Sequence, residues 1–288
     1  MGFTLPSVSL LSQSILSGVF VGALYGLLGL GVSLSWGLLR LINLAHFAFA
    51  FLAAYICYQL AQMHVDPLLT LLVIVPAFFV LGAALHGLMG YFKVTPFNSL
   101  LVTFGLMGIV EAFIQTIWTA DFRKMESVYE AQKFKLGTLF VPVPELITFG
   151  LAVAISFAVW AVLRYTDLGR ALRAAAEDPR IAQAFGVNQQ RNALLLAGTC
   201  SALASIAGVC LALSFTLAPS QMYAWIGVVF AAVMLGGLGR ALGPLIAGSL
   251  IGVSEAVTMA VTAPSWAPIV SFTLLILILV LRPGKVAT

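Results

Sequence analysis

Residues 11–36 read LSQSILSGVFVGALYGLLGLGVSLSW, and this run decides the fold class. It carries no charge, and no Asp, Glu, Lys or Arg occurs anywhere from Met1 to Leu39. A helix needs about 20 mostly apolar residues to cross the hydrocarbon core of a bilayer. The run is too long for the apolar core of a secretory signal peptide, and no basic residue precedes it. It reads as a retained membrane span.

The same pattern repeats along the chain. Asn192–Gly239 is free of charge, and Glu255 is the only charge between Arg240 and Arg282. Of the 288 residues, 61% are hydrophobic and 8% charged. A soluble domain carries about 25% charged residues, so this chain cannot cover a water-facing surface. Nine apolar segments are predicted as spans: 11–36, 41–62, 68–91, 97–118, 146–164, 192–217, 222–239, 243–263 and 266–282. The expected fold is an all-α integral membrane bundle of about nine transmembrane helices, within a range of roughly eight to ten. Segments 41–62 and 222–263 are rich in small residues and are candidates for re-entrant or broken segments, which are tolerated where protein buries them. Residues 1–288 then form a single transmembrane domain with two sizeable loops, 119–145 and 165–191. Two Gly-rich stretches, Gly18–Gly37 and Gly236–Gly252, share composition without forming a repeat.

Basic residues orient such a bundle, because they concentrate on the cytoplasmic side. If loop 165–191 is cytoplasmic, nine spans put Arg40, Lys93, Arg164, Arg170, Arg173, Arg180, Arg191, Arg240, Arg282 and Lys285 inside. Arg123, Lys124, Lys133 and Lys135 fall outside, balanced by Asp121, Glu126, Glu130 and Glu145. The N-terminus is then expected outside and the C-terminus in the cytoplasm of a bacterial-type inner membrane. The net charge of +4 reflects these loops and not nucleic-acid binding. Val141-Pro142-Val143-Pro144 should end the outer loop as an extended, stiff stretch. The cysteines Cys57, Cys200 and Cys210 lie in apolar runs without CxxC spacing, which suggests neither a disulfide nor a thiolate metal site.

Loop 165–191 is the most informative segment. Asp167 can cap a short helix through Leu168–Ala176, with Arg170 and Arg173 on its wet face. Asp178-Pro179 reads as a second helix start, with proline at the first helical position. Residues 180–185 make one to two turns, and Gly186 stands where a left-handed terminal residue is wanted. Ile181 and Phe185, four apart, share a face. That face suits either a partner's groove or the protein's own membrane surface.

Thr166-Asp167-Leu168-Gly169-Arg170-Ala171-Leu172-Arg173-Ala174-Ala175-Ala176-Glu177-Asp178-Pro179, with Ala182 and Gly186, resembles the coupling loop of ABC importer permeases. Trp36-Gly37, Arg40, Ile42-Asn43-Leu44-Ala45-His46, then Gly236-Gly237-Leu238-Gly239 with Gly243-Pro244, then Leu281-Arg282-Pro283 resemble the early and late segments of one such family. That family is the branched-chain amino acid permeases, H-type subunit, and the resemblance covers nearly the whole chain in order. Two departures stand out. Phe47 and Ala48 replace the usual glycine and polar residue after the histidine. Arg180 and Ile181 replace the Glu-Ala of the wider importer loop, so that Ala182 and Gly186 alone match there.

The resemblance implies that Arg170, Ile181, Ala182, Phe185 and Gly186 couple the chain to an ATPase. It also implies a second, homologous permease subunit, two ATP-binding cassette subunits and an extracytoplasmic solute-binding protein, in contact with membrane lipid and with no nucleic acid. The solute would be a branched-chain amino acid or a similar small solute. No cofactor is expected. Gly236-Gly237-Leu238-Gly239 lacks the Lys-Ser/Thr of a phosphate-binding loop, so ATP hydrolysis belongs to another chain and Gly236–Gly239 reads as close packing or a hinge.

Ionisable groups inside spans are costly and are functional candidates by default. Asn43, His46, Glu111, Gln115 and Glu255 are the candidates for a translocation path or gate. Glu111 and Gln115 share a helix face. The other reading is that these groups hydrogen-bond between helices and hold the bundle together. An ion-coupled secondary transporter, with protons on Glu111 and Glu255, is the alternative function. His46, His64 and His86 show no metal-ligand spacing, which leaves an intramembrane enzyme without support.

Overall fold

The computed structural model describes residues 7–127, 129, 132–137, 139–262 and 266–281. Helices form at all nine predicted segments: α1 (Val8–Leu39), α2 (Ala45–Gln62), α3 (Pro67–Tyr91), α4 (Pro96–Trp118), α5 (Val143–Tyr165), α8 (Gln189–Ser214), α9 (Met222–Gly236), α10 (Gly243–Val261) and α11 (Ala267–Leu281). Two short helices, α6 (Asp167–Glu177) and α7 (Pro179–Ala184), occupy the loop between α5 and α8. Strands β1 (Lys133–Leu136) and β2 (Leu139–Pro142) form an antiparallel hairpin in the loop after α4. Side-chain caps start several helices: Asp66 accepts from Leu68 N at 2.8 Å and Asn188 from Arg191 N at 3.0 Å.

Seven described helices are long and apolar enough to cross a bilayer: α1, α3, α4, α5, α8, α10, and α9 together with the 3-10 turn Pro219–Gln221 before it. The remaining two are α2, diluted by His46, Tyr55, Tyr58, Gln59 and Gln62, and α11, whose described part has 15 residues. The 15 residues of α9 reach about 22 Å, less than the roughly 30 Å of a hydrocarbon core. Both ends of this shortfall match the segments expected to be broken. The chain enters α2 through a non-helical stretch at 40–44, and it leaves α9 through Gly237 and Gly239, both at positive φ. Protein covers these exposed backbones. Leu44 N donates to Thr103 Oγ1 at 3.1 Å. Ser33 Oγ donates to the carbonyls of Gly237 and Arg240, and Gly239 N donates to Ser33 O at 3.0 Å.

The centre of the bundle is α1, α2 and α8. Buried shares of 67% for α1 and 72% for α8 stand against 22% for α3 and α4 and 17% for α5, so the latter three face outward. In lipid, apolarity does not choose which helices touch; close approach of small residues does. The two Gly-rich stretches, which share only composition in the sequence, lie face to face. A Cβ on Gly22 would fall 2.4 Å from the Gly248 carbonyl, and one on Gly18 would fall 2.7 Å from that of Gly252. Between α2 and α8, a Cβ on Gly208 would fall 2.0 Å from Ala50 O.

The loops sort to two ends. At one end Arg40 Nη2 donates to Ala176 O at 2.6 Å and Ser99 Oγ to Ile42 O at 3.4 Å. At the other, Tyr129 OH donates to Asp66 Oδ2 at 2.7 Å, which holds the phenol above its ordinary pKa. There too, Gln13 and Phe140 exchange hydrogen bonds at 2.9 Å, and Arg123 and Leu217 pair through their backbones. The described basic residues expected together, Arg40, Lys93, Arg164, Arg170, Arg173, Arg180, Arg191 and Arg240, belong to the first end. Glu130, the turn 263–265, Arg282, Pro283 and Lys285 lie outside the described residues, as do both termini. One expectation is corrected: Val143 and Pro144 are already helical, because proline fits the first turn of α5, and only Val141 and Pro142 are extended.

Substitution tests the α1–α10 contact. Gly22→Leu and Gly248→Leu should each cost about 1–3 kcal/mol or more, since the obstruction is backbone and cannot rotate away. Gly105→Ala on α4, with nothing within 4 Å of the added Cβ, should be neutral. Melting temperature of the purified protein in one detergent checks the contrast, and equal effects at all three sites would remove the contact from its central place.

Candidate functional site

The loop after α5 is built as a rigid bracket carrying a small exposed helix. The cap of α6 is Thr166, whose Oγ1 accepts from Gly169 N at 3.2 Å. Asp167, expected to be the cap, is the first helical residue and pairs with Arg170; the two residue types compete for the same role, and the threonine hydroxyl sits one position closer to the start. That ion pair is exposed, with side chains 65% and 93% accessible, so it adds little stability. The other face of α6 is fixed. Leu172 is buried with Leu30, Leu34, Leu163 and Leu196. Gly169 lies against the α5 backbone, Arg173 Nη1 donates to Leu163 O, and Arg40 reaches Ala176 O. The helix is thereby tied to the ends of α1, α5 and α8.

Helix α7 follows at once. Asp178 Oδ1 accepts from Arg180 N at 2.8 Å and Ile181 N at 3.1 Å. The helix covers Pro179–Ala184, Phe185 closes it, and Gly186 turns the chain at φ +85°. Nothing lies within 4 Å of a Cβ built on Gly186, so its requirement is conformational and not steric. Ile181 is 58% exposed and Phe185 86%, whereas Ala182 is 3% exposed. The shared face of Ile181 and Phe185 therefore points away from the protein. Ala182 turns inward and accepts from Val187 N at 3.1 Å; its place is to seat the helix rather than to be presented.

The intramembrane polar residues do not converge. His46 is buried and its Nε2–H donates to Leu28 O at 3.1 Å. The ring fills the notch left by Gly31, where a Cβ would fall 2.2 Å from His46 Cε1. Asn43, three residues earlier, has its Oδ1 buried with no partner among the described residues. It borders a small cavity with Ser35 and His86. Glu255 Oε2 accepts from Tyr25 OH at 2.8 Å, joining α10 to α1. Glu111 Oε1 accepts from Gln115 Nε2 at 3.2 Å and Oε2 from Tyr223 OH at 2.7 Å, joining α4 to α9 near the end opposite the arginines. Tyr25 and Tyr223 escaped the sequence reading. Each is one phenol in an apolar run, and nothing local names the distant carboxylate it meets. No group of three His, Cys, Asp or Glu that could hold a metal occurs among the described residues.

A family model described as the permease component of the branched-chain amino acid transport system matches residues 14–279. The chain is similar to the high-affinity branched-chain amino acid transport system permease protein BraD of Pseudomonas aeruginosa, at 25% identity over 97% of this chain and 96% of that one. It is similar to the permease protein LivH of Escherichia coli at 26%, over 94% and 93% of the two chains. The probable permease LivH of Methanocaldococcus jannaschii is 28% identical over 84% and 80%. No solved structure matches.

The polar pairs differ in what they should support. Glu255→Ala leaves the Tyr25 hydroxyl without this acceptor between two packed helices and should cost about 1–3 kcal/mol, read as a lower melting temperature. Glu111→Ala, at a half-open position, should shift melting less and solute uptake more. The opposite ranking would exchange the two assignments.

Proposed function

Because the chain belongs to the family of permease components of branched-chain amino acid transport systems, we propose that it forms the path for branched-chain or related amino acids, driven by ATP hydrolysis on partner subunits. The chain is a multi-pass inner-membrane protein and a component of an ABC importer, acting with other components of that transporter. Its proposed partners are a second, homologous permease, two ATP-binding cassette subunits and an extracytoplasmic solute-binding protein. The whole chain serves as one transmembrane domain, with the arginine-bearing end in the cytoplasm, the N-terminus outside and the C-terminus inside. The positive-inside tendency supports that orientation. Ion-coupled transport, the alternative expectation, is not favoured by the family.

One observation carries the coupling assignment: α7 holds Ile181 and Phe185 outward on a helix capped at both ends and braced by α6. Two exposed apolar side chains on a rigid helix suit a hydrophobic groove on a partner. Closure of the ATPases would push on α7. Arg40, Arg173 and Leu172 would pass that displacement to α1, α5 and α8, and the access of the path would alternate. Arg170 would lie on the wet flank of the same contact. Asn43 and His46, at the arginine end, suit a gate, while Glu111 and Gln115 suit the opposite mouth.

Phe185→Ala should remove an anchor worth about 2 kcal/mol or more of binding, on the order of 30-fold in affinity. Gly186→Val should strain the turn by about 1–3 kcal/mol. Both variants should reach the membrane at normal abundance and lose co-purifying ATPase. Full ATPase association and full uptake in both would mean that α7 is not the coupling element. A reporter fused after Thr288 should be active only in the cytoplasm, and periplasmic activity would overturn the orientation.

A further inference from the structure

A cavity of about 460 Å³ opens between the C-terminal end of α5 and the N-terminal end of α10. Arg164, Arg173 and Arg240 line it, and no Asp or Glu is among its lining residues. Three cations with no carboxylate among the lining residues favour an anion. Two further features point the same way. Leu242 and Gly243, at the start of α10, line the cavity, and no side chain caps that positive helix end. Trp160 sits beside it, with the Arg164 guanidinium 5.8 Å from its ring centroid, a pairing suited to the headgroup level of a bilayer.

Ile246 lines the cavity, and Leu250 follows it one turn further along α10. Helices α5 and α10 both pack on α1 yet barely touch each other. Ile246 and Leu250, one turn apart on α10, are 61% and 57% exposed. They lead from the arginines about 10 Å into the membrane. A free phosphate would use the arginines and leave Ile246 and Leu250 unexplained. A lipid uses both parts. The exposed side chains of α7 are not among the lining residues, which sets this cavity apart from the docking helix.

We propose that this cavity is a binding site for an anionic phospholipid, with the headgroup phosphate on Arg164 and Arg240 and an acyl chain along Ile246 and Leu250. Arg173, held by the Leu163 carbonyl, is a third cation at the rim. Basic side chains near a bilayer surface attract anionic lipid in this way, and the assignment does not depend on which membrane face is cytoplasmic.

The test is native mass spectrometry of the full chain with its co-purified partners, exchanged into mixed micelles of phosphatidylglycerol and phosphatidylcholine. The wild-type protein should retain phosphatidylglycerol in preference to phosphatidylcholine. Arg164→Gln with Arg240→Gln should reduce that preference by roughly tenfold or more, the loss expected for two basic groups near a bilayer surface. Arg123→Gln, at the other end of the bundle, should leave it intact. Arg164→Lys with Arg240→Lys should restore most of it, which separates charge from folding. Ile246→Ser with Leu250→Ser should also weaken retention. Equal retention of both lipids by the wild type would overturn the proposal. So would displacement of phosphatidylglycerol by inorganic phosphate at the same concentration, which would make this a free-anion site. A preference that appears only when the ATPases are removed would mean that the partner, not lipid, covers the arginines.

Discussion

The direct approach of α1 to α10 is the constraint on which the rest of the bundle depends. Lipid gives apolar side chains no reason to prefer each other over acyl chains. Orientation has to come from shape and from buried hydrogen bonds. Gly18 and Gly22 bring the α1 backbone within contact of Gly252 and Gly248. With that seam closed, Ser33 lies where it can take up the carbonyls of Gly237 and Arg240, and Gly239 N can reach Ser33 O. The break between α9 and α10 is thus tied to α1 through Ser33. The same helix offers the notch at Gly31 that receives His46, which joins α2 to α1 by one ring and one hydrogen bond.

Most of the architecture was legible because charge and apolar length mark membrane spans strongly. Each of the nine apolar segments carries a helix, and the described loops alternate between two ends of the bundle. Helix α7 was legible too. Asp178-Pro179 and Gly186 are local signals, and each does in space what its type implies in sequence. The breaks before α2 and after α9 fall in the two segments, 41–62 and 222–263, whose small residues marked them as candidates for broken segments.

What stayed hidden concerns partners distant in the chain. Glycine composition shows that a helix can be approached closely, but it does not say by what, so the pairing of the two Gly-rich stretches was invisible. Tyr25 and Glu255 are 230 positions apart, and Tyr223 and Glu111 are 112 apart. Each carboxylate stood out as costly in a membrane, while its phenol partner looked like one more aromatic residue. The misplaced cap at Asp167 has another origin. Thr166 and Asp167 are both good caps, and the choice between them depends on where α5 stops, at Tyr165.

Under the coupling proposed for α7, the arrangement around α6 and α7 would let this loop transmit force. A flexible linker would absorb a displacement, because its backbone torsions cost little to change. Here the path from the exposed face to the membrane contains few free torsions. Phe185 and Ile181 project from a capped turn, Gly186 is fixed by a left-handed conformation, and α8 begins at Gln189 only three residues later. On the other side, α6 hangs on two arginine-to-carbonyl bonds and one buried leucine. Those bonds reach carbonyls near the ends of α5 and α6, so a push on α7 acts close to helix termini, where the leverage for tilting is greatest. Glu111, Gln115 and Tyr223, proposed for the opposite mouth, lie between α4 and α9, neither of which packs closely on α6. In the proposed path, tilting the central helices would therefore move the two ends unequally, which is the mechanical condition for exposing one while closing the other.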